Sequence, residues 1–194
     1  KVQAEMGGKN PMVVLNDADL AVAIPVCLNG AFFSTGQRCT ASSRLIVESG
    51  IYDEFVDRLA KAASALTVGD ALDPATQIGP VVSANQLKNN LSYVEIARAE
   101  GATVLGGETA NCPKEGFYQK PAIFVDATND MRSSREEIFG PCASVIRATD
   151  YDHYDYILAM DTQNLSALRR SPKVQRLMNF AAPGMANDVP DPYY

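Results

Sequence analysis

Short apolar runs alternate along this sequence with longer segments of helical periodicity, and this alternation restricts the fold more than any other feature. The runs predicted as strands, each bounded by turn residues, are 12–15, 45–48, 103–105, 122–125 and 143–146. Helices are predicted between them, over 18–33, over 52–66 and from Ser83 to near Gly101. Alternation of this kind predicts an α/β fold, with a mainly parallel sheet flanked by helices.

The predicted helices carry recognisable start and stop residues. Asn16 or Asp17 is the candidate N-cap of the first helix, and Pro25 should kink or interrupt that helix. Ser83 and Gln86 form a predicted capping box for the third helix. Residues 68–80, rich in glycine, aspartate and proline, are predicted to be a loop. The predicted buried face of the third helix consists of Leu87, Leu91, Val94 and Ile96.

Composition excludes several classes of function. With 194 residues, 46% of them hydrophobic, the chain can bury one sizeable core, so 1–194 is predicted to be a single domain. A net charge of −6 and the lack of a basic tract disfavour nucleic acid as a partner. No apolar run approaches the roughly 18 residues that a membrane span requires, and the N-terminal residues lack the apolar stretch of a signal peptide. A cytoplasmic location is therefore predicted.

The four cysteines form neither a CxxC pair nor a group with His153, the sole histidine, so no metal site is predicted and free thiols are expected. Cys27 lies in an apolar helical stretch and Cys142 begins an apolar strand, so both are predicted to be core residues. Cys112 lies next to a proline and is predicted to be in a loop. Cys39 is the exception.

Cys39 lies in the stretch GQRCTASSR, which follows a predicted helix and the turn residues at 34–36. Reactive side chains are often presented on loops that a rigid scaffold holds, and amides around such a loop can stabilise a thiolate or an oxyanion. A phosphatase would need five residues between the cysteine and the arginine, and only four separate Cys39 from Arg44. A Cys–His hydrolase would need His153, which lies in a segment predicted to be a surface helix.

Two other stretches concentrate chemistry, EMGGK at 5–9 and REEIFGP at 135–141. A Walker A loop would need glycine at position 3 and Ser or Thr at position 10, but these residues are Gln3 and Asn10. Taken alone, EMGGK is typical of a solvated turn. REEIFGP taken alone is typical of a polar loop that closes over a core.

Together and in this order, EMGGKNP, FSTGQRCTASSR, DALDPATQIGPVVS and REEIFGP resemble the catalytic half of the NAD(P)-dependent aldehyde dehydrogenase superfamily. The resemblance extends from Glu5 to about Ile146. Within the superfamily, FSTGQRCTASSRLIV and VGDALDPATQIGPVV look most like the 2-oxoglutarate (α-ketoglutaric) semialdehyde dehydrogenases. The resemblance implies the fold of the aldehyde dehydrogenase catalytic domain.

The resemblance implies two catalytic residues. Cys39 matches the nucleophile, whose thiolate adds to the aldehyde carbon to give a thiohemiacetal and, after hydride transfer, a thioester. Glu5 matches the general base that activates water to hydrolyse the thioester to a carboxylic acid. The implied substrate is a small aldehyde, and an acidic semialdehyde is the candidate that the subfamily resemblance suggests.

The resemblance also implies a cofactor site for NAD or NADP. Glu137 matches the acid that hydrogen-bonds the nicotinamide ribose, and Phe139 matches the aromatic residue that lines the nicotinamide. Gln86 lies where some members place a weaker ribose contact. Met6 and Gly7 occupy positions whose backbone borders the nicotinamide, although the family usually has leucine in place of Met6.

Members of the family are about twice as long as this chain, so the resemblance implies a fragment. The N-terminal Rossmann cofactor domain would be absent and the C-terminal end incomplete, and the isolated chain would have little or no activity. Residues 174–180 resemble an expected helix and 184–187 the strand after it. The full-length protein would be a homo-oligomer. The alternative is a non-catalytic module that acts in subunit association.

Overall fold

The computed structural model describes residues 2–3 and 6–148, together with the backbone of 157–159 and 174–176. The chain divides into two compact units, residues 1–148 and 149–194. The first unit is built on a five-stranded sheet, with strand order β1-β2-β5-β4-β3. Its strands are β1 (Pro11–Val14), β2 (Arg44–Glu48), β3 (Thr103–Gly106), β4 (Ala122–Ala127) and β5 (Cys142–Ala148).

Every neighbouring pair in this sheet is parallel except β3 and β4, which are antiparallel. The predicted mainly parallel α/β fold is therefore confirmed. The helices are α1 (Leu20–Phe32), α2 (Tyr52–Ser64), α3 (Ala84–Ala99) and the short α4 (Arg132–Arg135), and a 3-10 turn at Phe33–Gly36 follows α1. The three long helices match the predicted ones, whereas α4 was not predicted.

The central strands β4 and β5 are buried on both faces, which explains why they are nearly continuous apolar runs. Side chains alternate between the two faces along a strand. In β4, Ile123 and Val125 join the core cluster that contains buried residues of α1 and α2. Ala122 and Phe124 join a second cluster, which contains Tyr93, Val94 and Ala97 of α3. The sheet thus lies between α1 and α2 on one side and α3 on the other.

Helix α1 begins at a different residue from the one predicted. The side chain of Asp19, not that of Asn16 or Asp17, caps it by accepting a hydrogen bond of 2.8 Å from the amide of Ala21. The helix also continues through Pro25 without interruption. Both Ala21 and Pro25 are exposed, so water can satisfy the Ala21 carbonyl that loses its usual intrahelical donor.

Helix α3 begins as predicted, since the Ser83 side chain accepts a hydrogen bond of 3.2 Å from the amide of Gln86. The reciprocal half of the predicted capping box is wrong, because the Ser83 amide makes no hydrogen bond to Gln86 Oε1 among the described residues, and the Gln86 side chain is turned to donate from Nε2 to Asn90 Oδ1 and to the Ile138 and Phe139 carbonyls. The buried face is also rotated from the predicted one. Leu87, Leu91 and Ile96 are only partly buried, and the buried residues are Asn90, Tyr93, Val94 and Ala97. Asn90 is tolerated there because its Oδ1 and its Nδ2 each have a hydrogen-bond partner.

In the second unit, β6 (Ile157–Ala159) pairs in parallel with β7 (Val174–Arg176). The helix predicted over 174–180 is therefore wrong at 174–176, where pairing with β6 holds the backbone extended. The strand predicted at 184–187 lies outside the described residues, as does His153. Among the helices of the described part of the chain, none has the length and apolar character that crossing a bilayer requires.

Candidate active site

The loop that carries Cys39 leaves α1 through three consecutive left-handed residues. Ser34, Thr35 and Gly36 have φ values of 54°, 58° and 64°. Such values are costly for residues with a side chain, so the surrounding contacts must impose them. The Thr35 hydroxyl donates to the Gly79 carbonyl at 3.2 Å, and a Cβ on Gly36 would overlap the Gly140 carbonyl oxygen. The turn is therefore packed directly against the segment that follows Glu137.

Cys39 is the exposed thiol of the chain. Cys27 and Cys142 are buried as predicted, and burial raises the pKa of each to about 12. Cys112 lies in a loop, also as predicted, and is partly buried. All four cysteines are unpaired. Within the part of the chain that the structure describes, no group of three or more His, Cys, Asp or Glu side chains is arranged to hold a metal ion.

The GGKN stretch lies against the Cys39 loop. The Asn10 side-chain amide donates to the Cys39 carbonyl at 2.5 Å, and a Cβ on Gly8 would overlap the same carbonyl oxygen. The Gly8 amide donates to Glu137 Oε1 at 2.9 Å. Gly7, with φ of 67°, leaves no room for a Cβ beside the Glu137 carboxylate. Three stretches that are far apart in sequence thus meet at one place.

The two adjacent acids of REEIFGP have different surroundings. Glu136 receives two hydrogen bonds of 3.0 Å from the Arg132 guanidinium and one of 2.5 Å from the Tyr93 hydroxyl. The Arg132 guanidinium, and then the Tyr93 hydroxyl, lower the pKa of Glu136 to about 2. Glu137 is exposed and accepts from the Gly8 amide. Glu136 is therefore held as an anion in a local network, while Glu137 faces the place where the three stretches meet.

Gln86, on α3, contacts the backbone turn that carries Phe139. Phe139 has φ of 59° and is 39% exposed, which is unusual for an aromatic side chain next to a core. Gln86 Nε2 donates to the carbonyls of Ile138 at 2.8 Å and Phe139 at 3.0 Å, and to Asn90 Oδ1 at 2.7 Å. Gln86 thus fixes the backbone that presents Phe139. The contact of Gln86 with the nicotinamide ribose remains a prediction.

The remaining predicted site residues are at the N-terminal end. Met6 is 90% exposed and Gly7 is also exposed, so both border open space beside Glu137. Glu5, the predicted general base, lies outside the described residues. The structure therefore brings together Cys39, Gly7, Glu137 and the turn that Gln86 holds, and it leaves the assignments of their roles as predictions.

Lys9 is a feature of the site that the sequence did not single out. Its Nζ is buried and has no hydrogen-bond partner among the described residues. Burial lowers the pKa of the amine to about 8, with the neighbouring Arg44 lowering it further and Cys142, Glu137 and Glu136 acting in the opposite direction. A buried amine with a shifted pKa is typical of functional sites, although structural networks produce the same shift.

Asn10 and Asn90 were also missed. Asn10 entered the sequence argument only as the residue that excludes a Walker A loop, yet its side chain holds the Cys39 carbonyl. Asn90 lies four residues after Gln86, and this spacing places both amides on one face of a helix. A pair of amides at that spacing is a signal that could have predicted the polar buried face.

The chain is similar to known proteins both in sequence and in fold. The profile of the aldehyde dehydrogenase family matches residues 1–184. The chain is 43% identical over 183 residues to the alpha-ketoglutaric semialdehyde dehydrogenase of Bacillus subtilis (strain 168), covering 93% of this chain and 38% of that protein. It is 46% identical over 160 residues to a betaine aldehyde dehydrogenase of Rhizobium leguminosarum bv. trifolii (strain WSM2304), covering 81% of this chain and 32% of that protein.

Among solved structures, an NAD+ complex of an aldehyde dehydrogenase from Bacillus cereus matches with a TM-score of 0.71 and 39% identity. The match covers 76% of this chain and 30% of that one. The chain thus spans about a third of the length of the relatives that it matches, 38% and 32% of the two curated proteins.

Proposed function

Because the chain belongs to the aldehyde dehydrogenase family, we propose that it forms part of an active site that oxidises an aldehyde to a carboxylic acid with NAD or NADP. Cys39 is the nucleophile in this proposal, Glu5 the general base, and Glu137 and Phe139 the cofactor contacts. Gln86, Met6 and Gly7 complete the side of the site that faces the cofactor.

One observation carries the proposal, namely the position of the GGKN stretch between the thiol loop and the acid. Asn10 holds the Cys39 carbonyl, while two residues earlier the Gly8 amide binds the Glu137 carboxylate. A reaction that passes hydride from a carbon bonded to sulfur needs the thiol and the cofactor-binding acid on the same surface. Residues 8–10 contact both the Cys39 loop, through Asn10, and the Glu137 carboxylate, through Gly8, and this supports the proposal.

Cys39 supplies the attack on the aldehyde. Its thiolate adds to the carbonyl carbon, the C=O π electrons move to oxygen, and a thiohemiacetal forms on sulfur. The developing oxyanion needs a donor at that position. The backbone amide of Cys39 donates to no group in the described part of the chain, so it is available for this role.

The residues that face this surface fit a nicotinamide riboside. Glu137 is an exposed carboxylate whose Oε1 accepts from a backbone amide, and such a carboxylate can accept from ribose hydroxyls. Phe139 offers a partly exposed ring, and at Gly7 even a Cβ would overlap the carboxylate, which is consistent with a tight cradle. When bound, the cofactor supplies the acceptor for hydride, and Cys39 is left carrying the acyl group as a thioester.

Glu5 completes the cycle in this proposal. As a carboxylate it accepts a proton from water, the resulting hydroxide attacks the thioester carbon, and the Cys39 thiolate leaves with the carboxylic acid as product. The similarity to the alpha-ketoglutaric semialdehyde and betaine aldehyde dehydrogenases supports two candidate substrates, one acidic and one cationic. Four unpaired cysteines are consistent with a reducing compartment such as the cytoplasm.

The test uses the protein encoded by the complete open reading frame that contains these residues. NADH or NADPH formation is measured with 2-oxoglutarate semialdehyde and with betaine aldehyde, for the wild type, Cys39→Ala and Cys112→Ala. We expect turnover in the wild type and in Cys112→Ala, and none in Cys39→Ala, because only Cys39 is both exposed and placed beside the Glu137 contact. The ratio of kcat/KM for the two aldehydes identifies the preferred charge on the substrate.

Alkylation resolved by cysteine tests the nucleophile separately from turnover. Limiting iodoacetamide is added to the folded protein across a pH series, and peptide mass spectrometry measures labelling at each cysteine. Cys39 should react ahead of Cys112, and the buried Cys27 and Cys142 should react last. If Cys39 reacts no faster than Cys112 and no aldehyde is oxidised, the alternative of a non-catalytic module in subunit association replaces this proposal.

A further inference from the structure

Three amide side chains, two of them fully buried, form a chain of hydrogen bonds beside the candidate active site. Asn90 of α3 and Gln119, just before β4, are both 0% exposed. Asn90 Nδ2 donates to Gln119 Oε1 at 2.9 Å, and Gln119 Nε2 donates to the Gly107 carbonyl at 3.2 Å. At the other end, Asn90 Oδ1 accepts from Gln86 Nε2 at 2.7 Å. We call Gln86, Asn90 and Gln119 the amide relay.

The amide relay ends on the backbone that presents the cofactor-facing residues. Gln86 Nε2 also donates to the carbonyls of Ile138 and Phe139, on either side of the strained Phe139 backbone. Asn90 packs so closely on Gly140 that a Cβ there would overlap its amide. Asn90 therefore contacts this turn in two ways. Its Oδ1 accepts from Gln86 Nε2, and its amide packs directly against the Gly140 backbone.

The direction of each amide in the relay is determined by the next one. An amide group that rotates by half a turn exchanges its donor and its acceptor. The Gly107 carbonyl can only accept, so Gln119 must present Nε2 to it and Oε1 to Asn90. Asn90 must then present Oδ1 to Gln86, which leaves Gln86 Nε2 pointing at the Ile138 carbonyl. The Gly107 carbonyl at one end of the relay and the Ile138 and Phe139 carbonyls at the other can only accept hydrogen bonds, so both ends require the same orientation of the three amides.

We propose that Asn90 and Gln119 are positioning residues for the cofactor, acting through Gln86 to hold Glu137 and Phe139 in the conformation that binds the nicotinamide riboside. The identity of the cofactor in this inference rests on the proposed function. The hold of the relay on the turn at 137–139 rests on the hydrogen bonds of the structure. In the described residues Gln119 makes no hydrogen bond to residues 137–139, and its partners are Asn90, the Gly107 carbonyl and, at 3.9 Å, Cys142 Sγ. The amide relay is therefore the shorter hydrogen-bonded route from Gln119 to that turn, since the contact with the Cys142 sulfur is long.

The experiment compares Gln119→Leu, Gln119→Glu and a control, Ser92→Ala, in the protein from the complete open reading frame. Leucine removes both hydrogen-bonding groups from Gln119 at similar volume. A buried glutamic acid stays protonated, so it can donate to the Gly107 carbonyl and accept from Asn90. Ser92 is exposed on α3, and its hydroxyl binds only the Asn89 carbonyl at 2.7 Å.

Two quantities test the proposal in each variant, and two more serve as controls. The test quantities are hydrogen–deuterium exchange of the peptide that covers residues 136–141 and the KM for the nicotinamide cofactor. The controls are the KM for the aldehyde and the alkylation rate of Cys39. In Gln119→Leu we expect faster exchange and a cofactor KM raised roughly five- to tenfold, the scale of one lost hydrogen bond near a binding group. The aldehyde KM and the Cys39 rate should stay unchanged, and Gln119→Glu should restore both test quantities.

Each outcome decides a separate point. Unchanged exchange at 136–141 in Gln119→Leu overturns the relay, whatever the activity. Faster exchange with an unchanged cofactor KM, or a failure of Gln119→Glu to rescue it, overturns the positioning role. If the wild type oxidises no aldehyde, the proposed function fails, while the exchange data still decide whether the relay holds the turn. Should Gln119→Leu not fold, Gln119→Met takes its place, because the flexible thioether fills a similar volume and has no group that can donate to the Gly107 carbonyl. Gln119→Met is expected to loosen the turn and Gln119→Glu is not.

Discussion

The two sides of the candidate site are held together in different ways. We call residues 6–10 and 33–44 the thiol side, and residues 86–90 and 136–140 the acid side. On the thiol side, three buried polar atoms have no hydrogen-bond partner among the described residues, namely Lys9 Nζ, Arg38 Nε and Ser43 Oγ. On the acid side, the side chains of Gln86, Asn90 and Glu136 all have partners within 3.0 Å.

The two sides therefore differ in the kind of contact that fixes their conformation. The thiol side takes its shape from close backbone approaches, in which Gly8 and Gly36 leave no room for a Cβ. The acid side takes its shape from side-chain hydrogen bonds that originate on α3. An added methyl group should therefore damage the thiol side most, and a removed amide or ion pair should damage the acid side. The partnerless atoms of the thiol side belong to the two segments that form it, and two others, Ser133 Oγ and Ser134 Oγ, lie on α4.

The largest effect is expected from Gly36→Ala, on the thiol side. The new Cβ would overlap the Gly140 carbonyl oxygen while the backbone stays at φ of 64°, and a backbone atom cannot rotate away as a side chain can. We expect a loss of about 3–5 kcal/mol in the free energy of unfolding, the sum of a left-handed alanine and an overpacked contact. Chemical denaturation measures it.

Gly101→Ala is the matched control for that prediction. Gly101 also has a positive φ, of 100°, but a Cβ there would meet nothing within 4 Å. Its cost should be only that of the backbone conformation, about 1–2 kcal/mol. An equal loss in the free energy of unfolding for Gly36→Ala and Gly101→Ala would contradict this. It would mean that the packing of Gly36 against the Gly140 carbonyl oxygen does not fix the conformation of the thiol side.

A smaller effect, with a distinctive pH dependence, is expected from Lys9→Met. The pKa of Lys9 falls from 10.5 in the unfolded chain to about 8 in the fold, so the folded state disfavours the charged amine. Between these values the unfolded state binds more protons, and the stability of the wild type therefore rises with pH. The penalty is fully present below about pH 8 and amounts to about 3 kcal/mol.

The measurement is the free energy of unfolding of the wild type and of Lys9→Met at pH 7 and at pH 10. The advantage of the methionine variant should be largest at pH 7 and should nearly disappear at pH 10. Lys61→Met serves as a control, because Lys61 is 75% exposed and pairs with Asp57 on the surface of α2. A pH-independent difference for Lys9→Met would mean that the Lys9 amine is solvated, and that the thiol side holds no buried charge.

The sequence predicted the two sides unequally, for a physical reason. The strands were predicted to within a few residues at each end, because strands buried on both faces, as β4 and β5 are, require apolar runs. Cys39 was singled out because its loop follows an apolar helical stretch and the turn residues 34–36, and its role as nucleophile came from the family resemblance. The partners of Gln86 were not found, since the Ile138 and Phe139 carbonyls are more than fifty residues away and every residue has a carbonyl. The burial of Lys9 was equally invisible, because it depends on what the fold places over the amine.

The smallest effect is expected from Glu136→Gln, on the acid side. The pKa of Glu136 falls from 4.5 to about 2 in the fold, chiefly through the hydrogen bonds from Arg132. A lowered carboxyl pKa contributes stability that is fully present above pH 4.5 and is lost as the pH falls towards 2. The difference in the free energy of unfolding between the wild type and Glu136→Gln should therefore be constant above about pH 5 and shrink below it. The carboxylate is 43% exposed, so solvent screening keeps this effect below the two others.

Arg132→Gln and the double variant complete a cycle for the same pair. Once Arg132 is absent, replacing Glu136 should change the acid limb of the stability profile much less, because the main cause of the lowered pKa is gone. If Glu136→Gln has the same pH dependence with and without Arg132, then Tyr93 and not the arginine holds the carboxylate. The acid side would still be held by side-chain hydrogen bonds in that case, but from the buried face of α3 alone. That result would tie Glu136 to the same helix that carries Gln86 and Asn90, and would make α3 the element on which the geometry of the acid side depends.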